Sequence, residues 1–380
     1  MKQNVISDVP QIPKESRNVI GNSMYIKNGK IITESDVIHG FIGIENGIIT
    51  MVGGGQPPDE TPDDIDAQGN LVTPGFIDIH CHGGGGVLFA DDPYTAYVAH
   101  LKNGTTGILP TIGYNMPLEK FLGAVASIAR MEEKGVLGIN CEGPFINPEY
   151  GADTRLARKF NPDDAREIYN AGNGRIRIWM FSPEIQGADE LRAFIASKPE
   201  ITACAGHTEC SAEDLEGIGL ICHLFDAMGP KTRKIPAIHE SGTAEAVLAS
   251  DDLYAELIAD SGGVHVPGDL LKIAYRCLGD RCIVISDAIS TMDNGPDINY
   301  NQRGELSGSL LSVSRAVVNM KNHTGISWPA AVRLGSLNPA KLLGLEKIQG
   351  SIEPGKKADI VVMDENAGII HVIQDGRIIK

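Results

Sequence analysis

The sequence is short of several things, and each shortage narrows what it can do. No apolar run approaches the roughly 18 residues of a membrane-spanning helix. The opening MKQNVISDVPQIPKESRN has no apolar core of the kind a secretory signal needs, so a soluble, cytoplasmic protein is expected. Positive charge is scarce: 33 Lys and Arg against 49 Asp and Glu give a net charge of −16. Affinity for nucleic acid rests on cations that neutralise phosphates, so nucleic acid is not an expected partner. An anionic small molecule would need a local basic patch against this field. The cysteines, Cys81, Cys141, Cys204, Cys210, Cys222, Cys277 and Cys282, are odd in number and never spaced C-x-x-C. That excludes a zinc ribbon, argues against a disulfide framework, and points to free thiols in a reducing compartment. The glycine run Gly83–Gly86 is not the G-x-G-x-x-G of a dinucleotide fold. The segment GSIEPGKK, from Gly350 to Lys357, lacks the Ser or Thr of a phosphate loop and has Pro354 before its second glycine, so it reads as a turn.

What remains is ample. Hydrophobic residues make up 42% and charged residues 22% of 380, an ordinary globular mixture. Residues 1–22 are polar and read as an N-terminal extension. Short strand-like pieces follow at Met24–Lys27, Lys30–Thr33, Phe41–Glu45 and Gly47–Met51, separated by Asn28-Gly29 and Asn46-Gly47. Asn-Gly tolerates positive φ at both positions, so both pairs are expected to be hairpin turns. The C-terminus repeats the texture, with strands at Asp359–Met363 and Val372–Ile373 and a turn at Asp375-Gly376. One small β-sandwich built from both chain ends, residues 23–73 and 356–380, is expected.

Residues 74–355 change period. Apolar strand candidates at Gly75–His80, Gly107–Ile112, Val136–Glu142, Ile176–Pro183, Thr202–His207, Ile221–Phe225, Tyr254–Ala259 and Cys282–Asp287 alternate with amphipathic helices such as Pro117–Lys134 and Gly268–Leu278. Eight such units predict an α/β fold of the TIM-like (β/α)8 type, with a doubly wound sheet as the alternative.

The chemistry gathers at strand ends. His80 and His82 close the first strand, Glu142 the third, His207 the fifth; His223 lies on the sixth, His265 follows the seventh, and Asp287 ends the eighth. Barrel strand ends form one active face. In H-x-H on a strand, alternation turns both imidazoles to the same side, so both can grip one ion. The same parity turns Cys81, Cys141 and Cys222 away from it. Imidazole and carboxylate donors suit zinc or iron with a position left open. Asp287 fits a catalytic acid/base or a helix N-cap. The other histidines, His39, His100, His239, His323 and His371, read as core or surface residues.

At these residues the sequence resembles the amidohydrolase superfamily, and within it the N-acetylglucosamine-6-phosphate deacetylases. The resemblance runs from about Gly29 to the end. It is carried by Pro74-Gly-Phe-Ile-Asp-Ile-His80-Cys-His82-Gly-Gly84, Glu142-Gly-Pro-Phe-Ile-Asn-Pro148, Ala205-Gly-His207, His223-Leu-Phe-Asp226-Ala227-Met228, Ser286-Asp287-Ala288 and Leu306-Ser-Gly-Ser309. It implies one divalent metal on Glu142, His207 and His223, and a second on His80 and His82 with Glu142 bridging. It implies Asp287 as general acid/base and His265 as a contact to the substrate carbonyl or sugar. Substrate contacts are implied at Asp226, Ala227, Leu306, Ser307, Gly308 and Ser309, with a basic residue crossing from the neighbouring subunit of a homodimer.

The departures all fall around the substrate. Asp226 stands where the family has Asn near the phosphate, and an anion there is unfavourable. Arg233, with Lys234, only loosely matches the family's basic residue, and Asp153 takes the place of a His or Gln sugar contact. The expected reaction is hydrolysis of an N-acetyl amide on an amino sugar phosphate. A cyclic amide, a deaminase substrate, the galactosamine epimer or a non-catalytic binding role stand as alternatives.

Overall fold

The computed structural model describes residues 23–229, 241–292 and 295–380. Eight strands form the central sheet: β1 (Phe76–Cys81), β2 (Thr105–Gly113), β3 (Ile139–Glu142), β4 (Ile176–Phe181), β5 (Thr202–Ala205), β6 (Leu220–Ile221), β7 (Tyr254–Ile258) and β8 (Cys282–Ile285). Neighbours pair in parallel and in chain order. The sheet curls until β8 meets β1: the Asp287 N–H donates to the His80 carbonyl at 2.9 Å, and the Ser286 hydroxyl to Asp78 at 2.5 Å. This is the expected barrel. Parallel strands covered on both faces read as unbroken apolar runs, and every residue of β2 is buried.

The helices supply the outer layer. Leu118–Ala129 turns Phe121, Ala124, Val125 and Ile128 inward, and Gly268–Leu278 turns Leu271, Ala274 and Leu278 inward. The first helix is shorter than expected, because it stops at Arg130 before the polar Glu132-Glu133-Lys134. Among the described residues no helix is long and apolar enough to cross a membrane.

The two chain ends interleave in a mixed sheet. Leu71–Pro74 pairs in parallel with Ser23–Ile32 and antiparallel with Ile360–Met363, so one short strand stitches the two ends together. From there the sheet runs through Ile369–Gln374 to Arg377–Ile378 on one side, and through Val37–Glu45 to Ile48–Gly54 on the other. It folds back on itself, because the Ile49 N–H donates to the Lys356 carbonyl at 2.9 Å. Ile26, Ile42, Ile44, Val72, Ile360 and Val362 pack in the enclosed core. Of the expected turns, Asn46-Gly47 and Asp375-Gly376 connect neighbouring strands with positive φ at both residues. Asn28-Gly29 does not. Ser23–Ile32 is one strand, and the pair makes an irregularity between Ile26 and Gly29. Asn28 takes φ 58°, and a Cβ on Gly29 would lie 2.4 Å from Val72 Cγ2. The glycine is there for close approach within a bulged strand, not for a reversal.

Candidate active site

The C-terminal ends of the strands deliver their side chains to one point. Glu142 ends β3; His207 follows β5 and His223 follows β6. His207 Nε2 lies 2.9 Å from Glu142 Oε1, and His223 Nε2 lies 3.5 Å from that oxygen and 3.2 Å from His207 Nε2. On the other side, His82 Nε2 is 3.4 Å from Glu142 Oε2 and 3.2 Å from Asp287 Oδ1, while His80 Nε2 is 3.7 Å and 3.6 Å from the same two carboxylates. The six residues form two adjoining donor groups, Glu142 with His207 and His223, and His80 with His82 and Asp287. His207, His223 and Asp287 all have positive φ, which bends the chain just past each strand and swings the side chain over the barrel axis.

The electrostatics are those of a site short of positive charge. Burial disfavours an ionised Glu142, yet His82, His207, His223 and His80 hold it well below the usual carboxylate range. Burial likewise disfavours a charged His223, but the Glu142 hydrogen bond helps lift it to about 9. Asp287 is also lowered: burial works against this, and His82, His80 and His223 outweigh it. Asp287 is therefore a carboxylate, the form that accepts a proton. Two imidazole nitrogens face each other across a carboxylate oxygen, and His80 Nε2 is buried with no hydrogen-bond partner. Convergent imidazole and carboxylate donors of this kind fit a divalent cation, which would take the place of the protons.

A cavity of about 860 Å³ opens above the cluster. His265, Asp226, Ala227, Leu306, Ser307 and Gly308 line it. Asp226 Oδ2 lies 3.5 Å from His265 Nδ1. Burial opposes protonation of His265, but Asp226 raises its pKa, and Nε2 is buried without a hydrogen-bond partner.

Two expected contacts are corrected. Ser309 is fully buried and is not part of the wall: its hydroxyl donates to the Ser286 carbonyl at 2.5 Å and its N–H to the Asp287 carbonyl at 2.7 Å, because strand alternation turns it behind Gly308. Asp153 sits at the rim, where its carboxylate is taken up by Arg155 at 2.5 Å and Arg303 at 3.5 Å. Its neighbours Gly151 and Ala152 line the cavity instead. Arg233 and Lys234 lie outside the described residues.

Cys222, expected to turn away, reaches the back of His80, with Sγ 3.6 Å from Nδ1. Cys277 is exposed, while the other cysteines are buried. Sequence reasoning missed Tyr114, whose ring meets His207 edge-on at 4.9 Å and whose hydroxyl donates to the Ala152 carbonyl at 2.8 Å. It also missed Glu256, fully buried on β7, with Oε2 2.9 Å from His80 Nδ1. The available signal was a single acid inside the apolar run Tyr254-Ala-Glu-Leu-Ile258.

A parallel barrel whose strand ends bring imidazoles and carboxylates to the floor of an open cavity defines a barrel hydrolase with a divalent-cation donor set. The comparisons with known proteins narrow that class. Residues 71–379 match the amidohydrolase family model, and the chain belongs to the amidohydrolase family. It is 31% identical over 337 residues to the N-acetylglucosamine-6-phosphate deacetylase of Bos taurus, a match that spans 79% of this chain and 81% of that protein. It is 29% identical to the N-acetylgalactosamine-6-phosphate deacetylase of Escherichia coli O157:H7, over 87% of this chain and 91% of that one. Its fold matches the N-acetyl-D-glucosamine-6-phosphate deacetylase of Mycobacterium smegmatis in complex with N-acetyl-D-glucosamine-6-phosphate, with a TM-score of 0.82, 25% identity, and coverage of 94% of this chain and 100% of that one.

Proposed function

We propose that the protein hydrolyses the N-acetyl amide of N-acetylglucosamine 6-phosphate, releasing acetate and glucosamine 6-phosphate. The observation that carries this reading is the convergence of Glu142, His207, His223, His80, His82 and Asp287 on the floor of one cavity, in a chain related to deacetylases along most of its length. Zinc or iron, as one or two ions, suits these donors. A divalent cation held there supplies Lewis-acid polarisation of the amide carbonyl and acidifies water at neutral pH.

The chain's own groups then account for the proton and the geometry. Asp287, ionised and open to the cavity, takes the proton from the attacking water. The C–O bond forms first, to give a tetrahedral adduct, and the C–N bond breaks as that adduct collapses. Asp287 returns the proton to the departing nitrogen, which leaves as a neutral amine. His265, beside Asp226, presents Nε2 to the substrate carbonyl or a sugar hydroxyl. Asp226 thus supports His265 and need not face a phosphate. No Lys or Arg lines the cavity among the described residues. The phosphate's countercharge then falls to Arg233 and Lys234, or to a basic residue of a second copy in a homodimer.

The test is acetate release by the metal-loaded protein from N-acetylglucosamine 6-phosphate, its galactosamine epimer and unphosphorylated N-acetylglucosamine. The glucosamine phosphate should be turned over fastest. Turnover confined to cyclic amides or N-acyl amino acids would overturn the reading. A preference for the epimer would move the assignment to the activity of the Escherichia coli relative.

A further inference from the structure

We propose that Ser309 is a positioning residue for Asp287: its N–H and its hydroxyl fix the two peptide planes that flank Asp287 and so aim the carboxylate. The inference rests on the role given to Asp287 in the proposed reaction. Asp287 stands at φ 49°, a left-handed conformation that a residue with a side chain keeps only where its surroundings over-determine it. β8 has already ended at Ile285, so the strand ladder does not hold it.

Two peptide planes meet at the Asp287 Cα, and each is gripped at both edges. In the plane before it, the Asp287 N–H donates to the His80 carbonyl at 2.9 Å, and the Ser286 carbonyl accepts the Ser309 hydroxyl at 2.5 Å. In the plane after it, the Asp287 carbonyl accepts the Ser309 N–H at 2.7 Å, and the Ala288 N–H donates to the Ser286 hydroxyl at 3.1 Å. Ser309 thus supplies one contact to each plane. The dihedrals φ and ψ are rotations of these planes about the Cα, so holding both planes fixes the direction in which the side chain leaves the backbone.

The Ser309 hydroxyl is fully committed. It is buried and also accepts the Leu311 N–H at 2.9 Å, so its one hydrogen goes to Ser286. Without it, the buried Ser286 carbonyl loses the bond that holds its plane. Ser309 also ends the strand Leu306–Ser309, whose other residues Leu306, Ser307 and Gly308 line the cavity. The wall that meets the substrate and the group that handles the proton are therefore joined through one residue.

The experiment uses the full chain loaded with Zn²⁺, with N-acetylglucosamine 6-phosphate as substrate. S309A should lower kcat about 10–100-fold, with KM within about twofold of wild type and bound zinc unchanged. S309C nearly keeps the volume but donates weakly, so it should show part of the same loss, a readout that stands where S309A does not fold. In a crystal structure of zinc-loaded S309A, the peptide plane between Ser286 and Asp287 should be rotated and the carboxylate displaced from its place beside His82. Wild-type kcat in these variants overturns the inference, as does a plane that has not moved in S309A. A loss confined to KM makes Ser309 a substrate contact and overturns it too, and so does a fall in kcat that only follows lost zinc. Each of these leaves the proposed function in place. Wild-type protein that binds zinc and releases acetate from no N-acetyl sugar overturns that function, and this inference with it.

Discussion

At the barrel mouth, Glu142, Asp287 and Glu256 are buried beside His80, His207 and His223; in the terminal sheet, the buried set is Ile26, Ile31, Ile42, Ile44, Val72, Ile360 and Val362. Both sets are buried, but for opposite reasons. The sheet is enclosed because each aliphatic side chain gains by leaving water, about 1.5–3 kcal/mol per residue. The mouth is enclosed by what surrounds it, and its charges pay a desolvation cost that only their mutual arrangement offsets. Backbone strain divides in the same way. Positive φ in the sheet falls on turn and bulge residues such as Asn46, Asp375 and Asn28, whereas at the mouth it falls on His207, His223 and Asp287 themselves. The sheet spends its sequence on stability and the mouth on geometry.

That contrast can be broken by variants that should separate activity from stability. The largest effect is expected for D287N. It removes the proton acceptor without changing volume, so kcat should fall about 10²–10⁴-fold while Tm stays close to wild type. Near-wild-type turnover would take Asp287 out of the reaction. H207A removes one donor from the Glu142 group; bound metal should fall by elemental analysis, and turnover with it. In the sheet, I360A should do the reverse. Emptying a fully buried aliphatic site costs about 2–5 kcal/mol in denaturant unfolding, with kcat retained below the melting range.

Two smaller effects sharpen the comparison. Burial raises the Asp359 carboxyl from 3.8 to about 6. Between those values the native protein holds more protons than the unfolded chain, so stability falls as pH rises through the window and the loss is complete above it. D359N keeps an acceptor for the Asp375 N–H but has no charge to bury. Wild type should therefore lose up to about 3 kcal/mol more than D359N between pH 4 and pH 7, as read by urea unfolding at each pH. Smallest is G29A, where the added methyl meets Val72 Cγ2 at 2.4 Å; a cost of about 1–3 kcal/mol with unchanged kcat is expected. A catalytic defect in G29A or I360A would mean that the sheet governs the site after all.

The barrel was legible because its strands are apolar runs separated by amphipathic helices, a pattern that survives from Ile176 to Ile285 except at the sixth strand, which is Leu220–Ile221 and not the expected Ile221–Phe225, so that His223 follows it. The candidate ligands were legible because each stands at a strand end. Other residues escaped for definable reasons. Glu256 lies within a strand, and the histidine it meets, His80, stands 176 residues away on a strand it does not pair with. Asp153 and Ser309 sit in motifs that suggest substrate contact, but Arg303 claims the first and strand alternation buries the second. Asn28-Gly29 has the chemistry of a turn, and only the neighbouring Val72 makes it a bulge.

By itself the sequence determined the order of strands and helices, the residue types at the strand ends, and hence the class of chemistry available. These follow from periodicity and from donor identity, both properties of short stretches of chain. Which way each imidazole faces, which acid holds it, and whether a polar residue touches the cavity or the protein interior were decided only in three dimensions. Orientation is set by partners brought close when the barrel closes, and no local pattern encodes them.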